Sequence, residues 1–239
     1  MNHKIYKSKE ELAASLAEEL YQFINGLKKD KITLAISGGI TPFILFEQWA
    51  KNYAEKMPWN HIHFFWVDER CVEPINDESN FGNTKKTLFD KIAIPSQNIH
   101  RIMGENQPQQ ETERYAQEID TIVEVTNGLP HFDILLLGMG DDGHTASIFP
   151  PSMQLLTAGK TVATTQNPYS HQNRITLTGP VINNAAQVYF LVTGKSKAPI
   201  VSTIFKNEQG FEKFPAAHIK PVDGKLIWVM DEEAAVGLQ

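Results

Sequence analysis

The sequence has few of the features that mark secreted, membrane or nucleic-acid-binding proteins. Cys71 is its one cysteine, which excludes an internal disulfide. Its 22 Lys+Arg and 28 Asp+Glu give a net charge of −6, and no basic run stands out. No stretch approaches the roughly 18 apolar residues of a transmembrane helix, and the charged N-terminus is not a signal peptide. We therefore expect a cytoplasmic protein that binds neither nucleic acid nor membranes.

Acidic residues are absent between Gly143 and Lys206, and this bears on the stretch GMGDDGHTASIFPP (138–151). Its three glycines have the G-x-G-x-x-G spacing of a dinucleotide-binding loop and follow the apolar run FDILLL. Such a loop opens a long helix and has an acidic residue about 20 positions later. Here two prolines interrupt any helix and the acid is missing. We interpret the stretch as a tight turn that carries His144, and not as a cofactor loop.

The pattern of apolar runs predicts the fold class. Apolar runs alternate with helical patterns of ten or more residues, which indicates an α/β protein with a mostly parallel Rossmann-type sheet flanked by helices on both faces. The length favours a single domain over residues 1–239. We predict strands at 31–36, 61–67, 98–102, 132–138, 160–165, 174–179, 187–194 and 225–231, the last closing the sheet. We predict helices at 8–27, 42–56, 83–92, 108–126 and from 196, and a polar loop at 68–82.

Ligands of such sheets bind beyond the carboxyl ends of the strands, so the loops that follow strands are candidate sites. They are residues 37–42, 68–80, 138–150 and 193–197. In SGGITP, the backbone of Ser37, Gly38 and Gly39 offers N–H groups at a helix start, which suits an anion. We predict Thr41 as the helix N-cap and Pro42 as the first helical residue. The alternative is a tight turn without a ligand.

The stretch DERC follows a predicted strand. Asp68 and Arg70 share a face if the strand continues, and an arginine can grip a phosphate with two hydrogen bonds. The alternative is a surface ion pair. A lone cysteine such as Cys71 is more often packed than nucleophilic. His61 and His63 share a strand face, but no third ligand is spaced nearby, so we predict no metal site.

His144 is the candidate for catalysis. It lies at the carboxyl end of a strand beside Asp141 and Asp142, which favours a functional role over a packed histidine. Arg174 and Lys197 are cations at the start of one strand and after another. As isolated charges they would be assigned to the solvated surface.

With these loops described, the chain resembles the 6-phosphogluconolactonase family nearly end to end. The resemblance rests on SGGITP, VDERCV…ESNFGNTKK, FDILLLGMGDDGHTASIFP, RITLTGPVINNA and LVTGKSKAPIV. It implies a Rossmann-type fold without a metal or organic cofactor, and a monomer or small homo-oligomer is expected. The implied reaction is hydrolysis of 6-phospho-D-glucono-1,5-lactone to 6-phosphogluconate in the oxidative pentose phosphate pathway.

The resemblance also implies catalytic roles. His144 would be the general base that takes a proton from water, which suits an imidazole because its ordinary pKa is near 6.5. Asp142 would orient the loop or the imidazole. Asp68 would position the substrate or the water.

The implied binding residues surround the phosphate of the substrate. The phosphate is expected on the Ser37–Gly39 turn, with Thr41, and near Arg70. Lys197 matches the lysine three residues after a glycine in the family pattern, and Arg174 matches its R-x-T stretch. Both are assigned to phosphate or hydroxyl contacts.

Two other functions occur among proteins related to this family. Glucosamine-6-phosphate deaminases share the DGH loop, but continue with a pattern like IAFNEP, which supplies a glutamate, and prefer tyrosine in place of Arg70. Here the sequence reads TASIFPP. The lactonase pattern DERxVP is itself altered, because Glu73 precedes Pro74. A non-catalytic phosphosugar sensor would carry a helix-turn-helix, and the roughly 30 residues before the first predicted strand are too few for one.

Overall fold

Seven parallel strands form the centre of the structure, a computed structural model that describes residues 1–238. The strands of the whole chain are β1 (His3–Tyr6), β2 (Ile32–Ile36), β3 (Ile62–Trp66), β4 (Asp68–Arg70), β5 (Ile99–His100), β6 (Val125–Thr126), β7 (Leu129–Pro130), β8 (Ile134–Gly138), β9 (Val162–Gln166), β10 (Asn173–Leu177), β11 (Gln187–Val192) and β12 (Lys225–Asp231). The α-helices are α1 (Lys9–Leu27), α2 (Ile40–Asn52), α3 (Asn80–Thr87), α4 (Pro108–Ile122), α5 (Gly179–Ile182) and α6 (Ala198–Lys206).

The order of strands creates a crevice at one edge of the sheet. The order is β1-β12-β11-β8-β2-β3-β5, and every neighbouring pair is parallel. The chain builds outward from β2 through β3 to β5, then returns to β8 and builds the other way through β11 to β12. Because β2 and β8 are neighbours that lead in opposite directions, their carboxyl ends form the switch point where ligands of such sheets bind.

Helices cover both faces of the sheet, as adjacent residues of β11 show. The Tyr189 hydroxyl lies 3.3 Å from Glu19 of α1. Phe190 stacks on Trp228, which in turn contacts Phe205 of α6 edge to face. Successive side chains of a strand point to opposite faces, so α1 and α6 lie on opposite sides. The mostly parallel α/β sheet predicted from the sequence is confirmed.

A second, three-stranded antiparallel sheet lies beside the first, in the order β4-β10-β9. The strands predicted at 160–165 and 174–179 exist, but they form this sheet and do not extend the parallel one. The prediction of a loop over 68–82 was wrong at its start, because β4 occupies Asp68–Arg70. Val67 joins the two sheets: its N–H donates to Ile36 and its carbonyl accepts from Leu177. Strand β4 was not predicted because its sequence is polar, and it is stabilised by pairing with β10.

The N-terminal strand β1 was not predicted. Its four residues alternate between exposed and half-buried positions, so no apolar run marks it. It pairs with β12 and lies outside it, so the prediction that residues 225–231 close the sheet was wrong. The first strand therefore starts at His3 and not near residue 31. The predicted α1 is confirmed, and the Ser8 hydroxyl accepts the N–H of Glu11 at its start.

Several predicted helix ends were wrong. Helix α2 has Gly39 as its N-cap, so Thr41 and Pro42 both lie inside its first turn. Thr41 places its hydroxyl 2.7 Å from that of Thr193 instead of on the helix backbone. Helix α3 starts at Asn80 instead of 83, helix α4 ends at residue 122, and a 3₁₀ turn precedes α6, which starts at residue 198. No helix among residues 1–238 has the length and apolar content needed to cross a membrane.

One buried carboxylate joins β2 to the start of β8. Asp133 accepts hydrogen bonds from the Thr33 N–H at 2.8 Å and from the Thr33 hydroxyl at 2.9 Å. Its own N–H donates to the Thr33 hydroxyl at 3.0 Å, and Lys29 contacts its other oxygen at 2.7 Å. Because Thr33 and Asp133 are both buried, their polar groups depend on one another and on Lys29 for partners.

We expect Thr33→Val to lower the free energy of unfolding by about 1–3 kcal/mol, because it keeps the side-chain shape but leaves the buried N–H of Asp133 without an acceptor. Urea unfolding measures the change. Thr121→Val, on the exposed face of α4, is the control and should change stability by less than about 0.5 kcal/mol. Equal effects of the two substitutions would contradict the assignment.

Candidate active site

A hollow of about 260 Å³ lies at the switch point between β2 and β8. It contains seven of the residues predicted from the sequence, which are Ser37, Gly38, Gly39, Asp68, Arg70, His144 and Arg174. It also contains residues that the sequence analysis did not identify, among them Asn80, Ser147, Phe149 and Asn167. The loops that follow β2, β3 and β8 therefore converge as expected for the carboxyl edge of a parallel sheet.

Thr41 and Lys197 line an adjoining hollow of about 560 Å³. The two hollows share Gly38 and Gly39 on one side and the Gly138–Met139 backbone on the other. Lys197 places its ammonium 2.6 Å from a carboxylate oxygen of Asp141, so its charge is already paired. Lys197 thus lines the adjoining hollow, whereas Arg70 and Arg174, which the sequence analysis assigned to the same substrate, line the first.

His144 is held in one orientation by its own loop. Its Nδ1 lies 2.5 Å from Oδ1 of Asp142, and its backbone N–H donates to the same oxygen at 3.1 Å. The imidazole packs against the Phe149 ring, with centroids 4.6 Å apart. A Cβ at Gly140 would lie 2.1 Å from the imidazole, so only glycine fits there. With Nδ1 bonded to a carboxylate, the ring keeps its proton on Nδ1 and presents Nε2 as the basic atom.

Asp142 remains ionised beside the imidazole. Burial alone would raise the pKa of its carboxyl, but the hydrogen bonds and charge of His144 outweigh burial and lower that pKa to about 2. The carboxylate is therefore negative throughout the neutral range and stabilises a positive charge on His144.

The histidine loop is a series of tight turns. Gly143 has a φ of 76°, and Ala146 has a φ of 50°, which is uncommon for a residue with a side chain. A single β-bridge joins Thr145 to Ile148, and no α-helix lies between β8 and Gly179. The long helix that a dinucleotide loop requires is thus missing, as predicted from the two prolines.

Two arginines lie side by side on the small sheet. Arg70 and Arg174 are cross-strand partners on β4 and β10. Arg174 is 8% exposed, and the Nε atoms of both arginines have no hydrogen-bond partner among residues 1–238. Burial lowers the pKa of Arg174, and the charge of Arg70 lowers it further. Arg70 is half-buried, and its Nη1 donates to the Glu78 carbonyl at 2.6 Å, so the buried Arg174 is the less occupied of the two. Two adjacent positive charges with free Nε–H groups are a site for an anion.

Asp68 is a buried carboxylate in the same hollow. Its Oδ2 accepts a hydrogen bond from the Ser147 hydroxyl at 2.6 Å. Its backbone carbonyl accepts from the Asn80 amide at 2.9 Å. The amide oxygen of Asn80 faces Gly38, where a Cβ would lie 1.9 Å away, so glycine is required at this turn.

Glu69 fixes the loop that carries these groups. Its carboxylate accepts the N–H groups of Arg70, Asn80 and Phe81, each at 2.8 Å, and the Ser79 hydroxyl at 3.3 Å. Burial raises its pKa to about 7, although these hydrogen bonds oppose the increase. This role could have been inferred from the sequence. Side chains alternate along a strand, so Glu69 points away from the face of Asp68 and Arg70 and into the core, where a carboxyl group needs several hydrogen-bond donors.

Asn167 contributes an oriented amide. Its Oδ1 accepts the N–H groups of Tyr169 at 2.8 Å and Ser170 at 3.0 Å, which leaves its NH₂ group as the free end. The sequence NPYS is typical of such an Asx turn, so this turn could have been predicted, but not its position at the hollow.

Other candidates from the sequence lie apart from the hollow. His61 belongs to a 3₁₀ turn and bonds the Asp30 carbonyl, so it does not share a strand face with His63. His63 contacts His100 instead. Burial raises the pKa of Cys71 to about 11, which disfavours a thiolate nucleophile. Within residues 1–238, no three His, Cys, Asp or Glu side chains gather in a metal-binding arrangement.

Comparison with known proteins identifies the family of the chain. The family model for glucosamine-6-phosphate isomerases/6-phosphogluconolactonase matches residues 7–228. A 6-phosphogluconolactonase of Haemophilus influenzae is 39% identical over 237 residues, covering 98% of both chains.

Solved structures give the same result. The crystal structure of the devB protein superposes with a TM-score of 0.94 at 39% identity, covering 100% of this chain and 99% of that one. The 6-phosphogluconolactonase of Thermotoga maritima superposes with a TM-score of 0.83 at 31% identity, covering 96% of this chain and 99% of that one. The family match and these two relatives cover almost the whole chain. This chain therefore belongs to the glucosamine-6-phosphate isomerase/6-phosphogluconolactonase family.

Proposed function

We propose that the chain hydrolyses 6-phospho-D-glucono-1,5-lactone to 6-phosphogluconate, a step of the oxidative pentose phosphate pathway. The observation that carries the proposal is that one hollow contains both an oriented imidazole, at His144, and a buried guanidinium, at Arg174, whose Nε has no partner among residues 1–238. A lactone is an activated ester. Its opening needs an activated water, and the phosphate needs cations to bind it.

In the proposed mechanism, Nε2 of His144 takes a proton from the attacking water. The carboxylate of Asp142 lies on the opposite ring nitrogen and stabilises the imidazolium that forms. Asp68 positions the water or the substrate. The resulting hydroxide adds to the lactone carbonyl carbon, and the bond between that carbon and the ring oxygen then breaks. The imidazolium returns its proton to the ring oxygen, so the proposed step uses no metal or organic cofactor.

The substrate phosphate lies on the Ser37–Gly39 turn, against Arg70 and Arg174. The protein has a net charge of −6, so these two cations supply the local attraction that an anionic substrate needs. Thr41 and Lys197 approach the same glycine turn from the adjoining hollow. The ion pair of Lys197 with Asp141 weakens its contribution relative to the two arginines.

The deaminase reaction is disfavoured by the residue beside the imidazole. Counted from the histidine, the glutamate of the IAFNEP pattern corresponds to Phe149. This ring is 1% exposed and packs on His144, so the hollow has no carboxylate at that position. The acid–base group that this pattern supplies for amine chemistry is therefore missing from that position.

We expect the purified protein to accelerate hydrolysis of freshly prepared lactone, after subtraction of spontaneous opening, with EDTA present. His144→Ala and His144→Gln should both lose about 10²–10⁴-fold in kcat, because neither side chain can accept the proton. His61→Gln, which lies outside the hollow, is the matched control and should keep the wild-type rate. Circular dichroism confirms that each variant is folded.

Three results would change the assignment. Ammonia release from glucosamine 6-phosphate without lactone turnover would move the protein to the deaminases. Binding of the phosphosugar without turnover would identify a sensor. A folded His144→Ala protein with normal kcat would show that the base lies elsewhere.

We expect Arg174→Ala and Arg70→Ala to raise KM by roughly 10- to 150-fold with little change in kcat. Each loses charge-assisted contacts worth about 1.5–3 kcal/mol that form equally in ground and transition states. Lys197→Ala should raise KM less, because its ammonium is already paired with Asp141. Steady-state kinetics measures the KM of each variant and therefore the order of the three effects. Arg101→Ala removes a half-buried arginine that is bonded to Glu105 and lies outside both hollows, and it serves as the control.

If Lys197→Ala raised KM more than both arginine substitutions, the phosphate would belong in the adjoining hollow. An unchanged KM in all three variants would remove the phosphate site altogether.

A further inference from the structure

The turn after His144 brings a hydroxyl group into the hollow, and the mechanism above does not use it. Ser147 is 1% exposed, and its Oγ donates to Oδ2 of Asp68 at 2.6 Å. Its backbone N–H donates to the Thr176 hydroxyl at 3.2 Å. A short hydrogen bond to a buried carboxylate is among the stronger interactions in a protein interior.

This hydrogen bond joins the two halves of the hollow. Asp68 belongs to β4 of the small sheet, whereas Ser147 follows β8 of the parallel sheet, 79 residues later in the chain. The bond from Ser147 fixes Oδ2 of Asp68, and the carboxylate lines the hollow, so Oδ1 is the oxygen that remains for a ligand. Without Ser147, the carboxylate could rotate and present either oxygen.

The backbone of the turn is held in an uncommon conformation next to this contact. Ala146 has a φ of 50°, and the bridge between Thr145 and Ile148 closes the turn around it. A residue with a side chain pays a conformational cost there, so the surrounding contacts must hold it in place. The turn thereby fixes the direction of Ser147 relative to His144.

We propose that Ser147 is a positioning residue that acts through Asp68. Its hydroxyl fixes the Asp68 carboxylate so that the free oxygen faces the water or substrate at His144. This inference rests on the proposed function, because the reaction assigned to Asp68 is the opening of the lactone.

The test is a double-mutant cycle with Ser147→Ala, Asp68→Asn and the double variant. We expect Ser147→Ala to lower kcat about 10- to 100-fold, the range for losing one hydrogen bond to a charged group, with KM within a few-fold. If Ser147 acts only through Asp68, the double variant should match Asp68→Asn within about twofold. Losses that multiply would overturn the proposal, because they would show that Ser147 acts independently.

Thr145→Val is the matched control. Thr145 is in the same turn, is 1% exposed, and donates its hydroxyl to the Gly138 carbonyl at 2.9 Å instead of to Asp68. Its removal should lower the thermal midpoint but leave kcat within about threefold, and its effect should multiply with that of Asp68→Asn. An equal loss of kcat in Thr145→Val and Ser147→Ala would assign both to general packing of the turn.

Two further measurements separate the possible failures. If the wild-type protein does not open the lactone, the proposed function fails, and the positioning role fails with it. The same cycle followed by urea unfolding still reports the hydrogen bond itself, and strictly additive stability effects would show that the bond is absent in solution. Mass spectrometry of the quenched reaction should show no adduct, and an acyl group on Ser147 would make it a nucleophile instead.

Discussion

The central strands are apolar on both faces, and this constraint decides where polar side chains can meet. Helices pack on each side of β11, so a polar group in the middle of the sheet would lose water without gaining a partner. Where polar side chains do occur in or beside these strands, each has a partner: Asp133 is bonded by Thr33 and Lys29, and His63 by His100. Polar groups without such partners are thereby confined to the strand ends, and the switch point between β2 and β8 forms a crevice in which they meet.

The small antiparallel sheet lines this crevice opposite the histidine loop. It starts at Val67, immediately after β3, and carries Asp68 and Arg70 to a position opposite His144. Glu69 holds this arrangement, because its carboxylate accepts backbone N–H groups from both β4 and the start of α3. Three consecutive residues thus serve two purposes: the middle one anchors the backbone, and the outer two line the hollow.

The sequence was sufficient for those features that depend on local patterns. Apolar runs predicted the buried parallel strands, and the rule of strand ends brought the loops at 37–42, 68–80 and 138–150 together. It was insufficient where pairing partners decide the structure. β1 and β4 are short and polar, and each is stabilised by a strand far away in the chain. Thr41 resembles an N-cap locally, but a tertiary contact with Thr193 takes its hydroxyl.

The contacts of the site residues also fall into local ones, which could be predicted from the sequence, and tertiary ones, which could not. His144 and Asp142 are two positions apart, so their contact could be predicted from a tight turn. The contact between Ser147 and Asp68 could not, because 79 residues separate them and no spacing rule links a turn to a distant strand. The distribution of Lys197 and Arg174 between two hollows likewise depends on three-dimensional packing alone.

The two sheets carry different parts of the site, and this division has an evolutionary consequence. The imidazole and its carboxylate belong to a loop of the parallel sheet, whereas both arginines belong to the antiparallel one. The side chains at positions 70 and 174 can therefore differ without any change in the imidazole, its carboxylate or the buried parallel strands. In a fold arranged in this way, separate segments of the chain set the positive charge of the hollow and the position of its imidazole.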